Sequence, residues 1–179
     1  MRRIFPKKGL IGIVVAVITI SFCFTAPAAE KKKFAFSKKR QKILSEVNLQ
    51  DRTDQKYRIR QYSYLDVITE HTDRDLVGAE QIVNGQVDFP TSMYKGDKSP
   101  FGWGYLITRG KDEDCFYAKF QSTMTVMEVK AWHWDMEIES KIDIFGGTGK
   151  YLGVKGSGIC KAQSTESGTI TKCEGEWEY

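Results

Sequence analysis

From Trp132 to Ile144 the even positions are Trp, Trp, Met, Ile, Ser, Ile and Ile, and the odd ones are His, Asp, Glu, Glu, Lys and Asp. Successive side chains of a strand point to opposite faces, so this run describes a long strand with one apolar face and one charged face. A helix would scatter the same residues around its circumference. The run enters Gly146-Gly147-Thr148-Gly149, where the missing Cβ atoms permit a tight reversal. Further strands follow over Lys150–Ala162 and Thr169–Tyr179. A chain that ends this way is committed to a sheet.

The preceding segments agree. In the run from Tyr57 to Thr69, Tyr57, Ile59, Leu65 and Val67 share one face, with Arg58, Arg60, Tyr62 and Tyr64 on the other. Bulk on both faces suits a barrel strand with a lumen on one side and cover on the other. Leu76–Val83 reads as a strand, Asn84-Gly85 as a type I′ hairpin turn, and the returning strand stops near Pro90. Thr91–Gly102 has Pro100, polar residues around Gly96 and little periodicity, and reads as a loop at the barrel mouth. Trp103–Thr108 is a strand, and Gly110–Asp114 a charged turn. Phe116, Ala118, Phe120, Ser122, Met124 and Val126 then share a face until the apolar phase switches at Met127 and Val129. A β-bulge there restores the pattern; without it Glu128 points into the apolar face. Strands linked by short turns, with no long helix to cross over, predict an all-β closed antiparallel barrel. A two-sheet sandwich is the alternative.

Residues 1–28 are set aside as a signal peptide. Arg2, Arg3, Lys7 and Lys8 precede an apolar run from Gly9 to Phe24, and Ala26-Pro27-Ala28 offers small residues for a cut before Ala29. A retained membrane anchor is the competing reading, and the only membrane contact the sequence suggests. The chain's formal charge of +4 comes from 27 basic and 23 acidic residues. The leader holds the excess of four, so the mature chain is neutral and gives no support for nucleic-acid binding. Residues 30–60 carry eleven Lys and Arg against four acids. The stretch 29–56 therefore reads as a basic polar arm, with a short helical possibility from Ser37 to about Val47, ahead of a barrel domain at 57–179. Cys160 and Cys173 flank a polar turn centred near Glu166-Ser167 and would face each other there, an expected disulfide in a periplasmic or secreted protein. Cys115 is left over.

The residues from Ile144 to Gly158, IFGGTGKYLGVKGSG, resemble the glycine-rich signature of the allene oxide cyclase and dirigent superfamily. In that family a strand ends in a GGTG or GGSG corner, followed by an aromatic residue and further glycines. The resemblance implies an eight-stranded, calycin-like antiparallel barrel with a central apolar cavity. It also implies a homo-oligomer, often a trimer, and action on or retention of hydrophobic small molecules. The corner lacks the Gly-Lys-Ser/Thr continuation and the strand-to-helix context of a phosphate loop.

If the apolar faces point inward, Phe116, Phe120, Met124, Trp132, Trp134 and Met136 line one wall, which suits a solid core or a lipophilic pocket equally. His133, Asp135 and Glu137 share the opposite face, which reads as solvated. Glu80 and Glu128 are the carboxylates nearest an apolar register and the candidate acids of a cyclase or isomerase. No cofactor and no metal set is called for. Three function classes follow: a non-enzymatic barrel that binds a hydrophobic small molecule in its lumen, a cyclase or isomerase with a preorganised pocket, and a structural or interaction protein with a filled barrel. The first needs only the cavity and is preferred.

Overall fold

The alternating run forms a strand, β6 (Trp134–Gly147), in which Ile142 and Ile144 are buried while Glu137, Glu139, Lys141 and Asp143 are exposed. The computed structural model describes residues 30–50, 57–90, 94–131 and 134–178; the leader, Trp132 and His133 lie outside the described residues. The other strands are β1 (Lys32–Gln50), β2 (Tyr57–His71), β3 (Glu80–Pro90), β4 (Lys98–Arg109), β5 (Cys115–Val129), β7 (Lys155–Thr165) and β8 (Gly168–Glu178). Each pairs antiparallel with the next and β8 returns to β1, giving a closed eight-stranded barrel rather than a sandwich. Closure removes every edge that two open sheets would leave.

The seam that closes the barrel is shorter than the strands that form it. Lys32–Lys39 pair with Trp177–Ile170 of β8, and from Arg40 onward the described part of β1 has β2 alone beside it. The stretch 29–56, read from sequence as an arm with a short helix, is thus corrected: most of it is the first strand. Phe34, Phe36 and Lys38 point inward and are buried, so the lumen-facing series becomes cationic midway and resembles a solvated tail. Register shifts at Ser37/Lys38, Arg40/Lys42 and Ile43/Ser45 erase the simple period as well.

Three further expectations change. β3 runs straight through Asn84-Gly85, which make no turn. Gly85 is there for closeness: a Cβ on it would stand 2.7 Å from the Tyr62 hydroxyl. Leu76 belongs to a short 3₁₀ turn (Arg74–Leu76) before β3, and β4 begins at Lys98 inside the expected loop. The bulge on β5 is present as a register shift between Val126 and Glu128. Cys160 and Cys173 are direct cross-strand partners joined by a disulfide, Cα atoms 4.0 Å apart, and Glu166-Ser167 lie in the turn between their strands.

One end of the barrel is filled with aromatic rings. Trp177 stands 5.3 Å from Phe34, 5.7 Å from Phe116 and 6.0 Å from Tyr151, all centroid to centroid. The glycine corner builds this end. Thr148 hydrogen-bonds the backbone of Cys115 through its amide (2.7 Å) and its hydroxyl (2.9 Å), and the Lys150 amide donates to Asp114 at 3.2 Å. Gly149 has φ +52°, and a Cβ on it would collide with the Asp114 carboxylate. The 3₁₀ turn that follows (Gly149–Tyr151) drives Tyr151 into the plug. The corner's amides are therefore spent on the β4–β5 turn.

His71 sits at the rim of the plug, stacked on Phe36 at 5.5 Å, its Nδ1 accepting from the Asp73 amide at 2.8 Å. Its Nε2 is buried without a hydrogen-bond partner. Burial holds its pKa below the ordinary value, outweighing the nearby Asp73 charge. The unfolded chain then takes up a proton near pH 6.5 that the folded chain refuses until lower pH. The neutral ring's contribution is full above about pH 6.5 and declines below it, through the folded pKa. Thermal melts should show Tm falling between pH 7.5 and 5.5, and His71→Phe should flatten that slope; an unchanged slope would remove His71 as its source.

The barrel wall also carries cross-strand glycine pairs under aromatic rings: Gly85–Gly104, beneath Tyr62 and Phe120, and Gly158–Gly175, both beneath Phe34. A Cβ on Gly104 would lie 2.0 Å from the Asn84 carbonyl and 2.8 Å from Phe120, whereas one on Gly146 meets nothing within 4 Å. Urea denaturation should show Gly104→Ala losing about 2 kcal/mol or more to overpacking, with no loss for Gly146→Ala. Equal stabilities would mean that strand spacing, not ring packing, decides these glycines.

Candidate functional site

Above the plug the lumen turns polar. Lys38 on β1 and Asp66 on β2 form an ion pair of 2.9 Å whose side chains are 8% and 5% exposed. The Lys38 ammonium also donates to Gln81 of β3, and Gln81 donates to Thr108 of β4 at 2.7 Å. Asp66 faces Gln81 in the ladder and Gln81 faces Thr108, so the network crosses the wall as a transverse row. Buried charges are tolerable only when paired and hydrogen-bonded, and this row meets both conditions for Lys38.

Beyond the row lies a cavity of about 570 Å³ that opens to solvent. One wall is apolar, made by Met124, Trp134, Met136, Ile138 and Val87. The facing wall comes from β1 and β2: Arg40, Glu46, Arg60, Tyr62 and Tyr64. Tyr62 and Tyr64 stack at 4.5 Å with rings nearly parallel. The Arg40 guanidinium covers the Tyr64 ring at 3.7 Å, and Arg60 pairs with Glu46 at 3.4 Å. Burial pushes both phenols above their ordinary pKa, Tyr62 far above it, so each stays a neutral hydrogen-bond donor. Lys130, at the β5–β6 turn, also lines the space and is paired with Asp135 at 2.6 Å. A pocket of this size, with an apolar side and a few polar groups facing it, is of the kind that holds a small organic molecule.

The residues singled out from sequence divide between the two halves. Met124, Trp134 and Met136 come together on the cavity wall, whereas Phe116 lies in the plug, edge-on to Tyr151 and Trp177. Phe120 is buried in the filled core under Gly104. Trp132 and His133 lie outside the described residues. The candidate acids are corrected. Glu80 is 47% exposed and bonded to Arg109 at 2.8 Å, and Glu128 is 61% exposed and paired with Lys130 at 3.6 Å. Both stand on the outer surface, Glu128 because the bulge turns it outward, so neither reaches the lumen. Asp135 pairs with Lys130 and Glu137 is exposed. Among the described residues no three His, Cys, Asp or Glu side chains converge as metal ligands would. Cys115 remains a free thiol.

Sequence reasoning missed Lys38, Arg40, Asp66 and Gln81. The signal was present in part: Arg60, Tyr62 and Tyr64 alternate on one face of β2, and Asp66 continues that face. Fold and cavity together define a closed β-barrel with one plugged end and one open amphipathic pocket. Comparison with protein-family models, curated proteins and solved structures finds no match for the chain.

Removing one member of the buried pair leaves the other charge in the lumen. Lys38→Met should lower the unfolding free energy by about 3 kcal/mol, whereas Lys38→Met with Asp66→Leu should recover most of it, measured by urea denaturation. A single-variant loss below about 1 kcal/mol would show that Arg40, whose Nε lies 3.7 Å from the other Asp66 oxygen, takes over the partnership.

Proposed function

We propose that this protein is a non-enzymatic binder of a hydrophobic small molecule, held in the open half of its barrel, and that it works in the periplasm or outside the cell. The observation that carries this reading is the cavity of about 570 Å³, floored by a polar row and walled by Met124, Trp134, Met136 and Ile138. Methionine and tryptophan adapt to apolar ligands of varied shape at modest ordering cost. A purely structural barrel has no use for such a space, since a barrel of this strand number can be filled by its own side chains. A cyclase needs an ionisable group touching the substrate; with Glu80 and Glu128 outside, the remaining lining carboxylate is Glu46, engaged by Arg60. The glycine corner's resemblance to the allene oxide cyclase and dirigent superfamily supports the same reading. The disulfide fits an oxidising compartment, and the leader-like N-terminus supports export.

The test uses N-phenyl-1-naphthylamine, a neutral apolar fluorophore. Its emission should rise and saturate at one molecule per chain, with quenching of tryptophan emission through energy transfer from Trp134. Met136→Trp, which fills the space, should weaken binding about tenfold or more while the far-UV spectrum stays that of the parent barrel. Non-saturable emission in the parent protein would remove the lumen as a binding site.

A further inference from the structure

The polar wall of the cavity carries more positive than negative charge. Of the described charged residues lining it, Arg40, Arg60 and Lys130 are cations and Glu46 is the carboxylate. Lys130 is answered by Asp135 outside the cavity. Behind the β1–β2 wall, Asp66 is the acid nearest both Lys38 and Arg40, and it gives the closer contact, 2.9 against 3.7 Å, to Lys38. Asp66 is thus shared by Lys38 and Arg40, while Glu46 answers Arg60. The Arg40 Nε–H is buried and makes no hydrogen bond, Asp66 Oδ1 standing 3.7 Å away, beyond bonding distance. The guanidinium's far side is held by Thr169 at 3.4 Å, and its face lies on Tyr64, so the group is fixed in place. Arg60 lines the same cavity as Arg40 and Tyr64, which brings both guanidinium groups to one wall.

A buried donor on a fixed cation costs free energy until an acceptor arrives, and a guanidinium is the side chain best suited to a planar or tetrahedral oxyanion. We infer that the ligand is an amphipathic monoanion, its acid group held between Arg40 and Arg60 beside Tyr64 and its apolar body laid along Met124, Trp134 and Met136. This rests on the reading of the lumen as a binding site. It adds polarity and direction: the acid end lies against β1 and β2, and the apolar end against β5 and β6.

The test compares N-phenyl-1-naphthylamine with 1-anilinonaphthalene-8-sulfonate, which shares its ring body and adds one sulfonate. The parent protein should bind the sulfonate about tenfold more tightly, the contribution of one charge-assisted hydrogen-bonded contact. Arg40→Gln and Arg60→Gln should each bring the ratio of the two affinities to within about threefold of unity, so one folded variant suffices if the other fails to fold. Saturable binding of both probes with no preference for the sulfonate would overturn the anion assignment and leave the lumen reading standing. A preference that persists in either variant would place the anion elsewhere and equally overturn it. Failure of both probes to bind would overturn the two readings together.

Discussion

The Lys38–Asp66 pair, continued through Gln81 to Thr108, is the constraint on which the rest of the barrel depends. It ties the first four strands across their inner faces at one level. It also divides the lumen into a lower half filled by packed rings and an upper half that holds the open cavity. An apolar layer in its place would be no less stable in principle. What the charges provide is an arrangement in which Arg40 and Tyr64 stay above the boundary and Phe36 and Ile68 stay below it.

The legible parts of the fold were those whose inner face is apolar throughout. β6 announces itself because Trp134, Met136, Ile138, Ile142 and Ile144 all face in, and the β5 bulge is forced by Glu128 falling out of phase. The Cys160–Cys173 bridge follows from the position of a turn. β1 was illegible for the opposite reason. Its inward series runs Phe34, Phe36, Lys38, Arg40, and a cation facing a lumen cannot be told from one facing water without knowing that Asp66, on another strand, stands opposite. Asn84-Gly85 misled because a glycine cleared for an approaching ring has the same letter as a glycine cleared for a turn. The apolar half of the candidate site was thus readable from β5 and β6. The polar half, which depends on pairing between strands, was not.

Glycine serves two ends in this molecule. In the corner at Gly146–Gly149 it lets the chain reverse tightly onto Asp114 and Cys115 and so seals the base. In the facing pairs Gly85–Gly104 and Gly158–Gly175 it hollows the wall so that Tyr62 and Phe34 lie flat against backbone. Tyr62 thereby comes close to the Gly85 backbone and still lines the cavity, so the same glycine pattern that packs the lower half shapes the upper one.

The short seam between β1 and β8 makes the lacing of the vessel uneven. Below Lys39 each strand is clamped on both sides, and bending one means breaking ladders on two flanks. Above it the β1–β2 ribbon, which carries Arg40, Glu46 and Arg60, has its ladder to β3 and none described to β8, to which Arg40 reaches through a side-chain hydrogen bond with Thr169. In mechanical terms the protein is a cup whose base is laced on every flank and whose polar wall is laced on fewer, so bending that wall breaks fewer ladder bonds than bending the base, where aromatic packing and the disulfide add to the ladders.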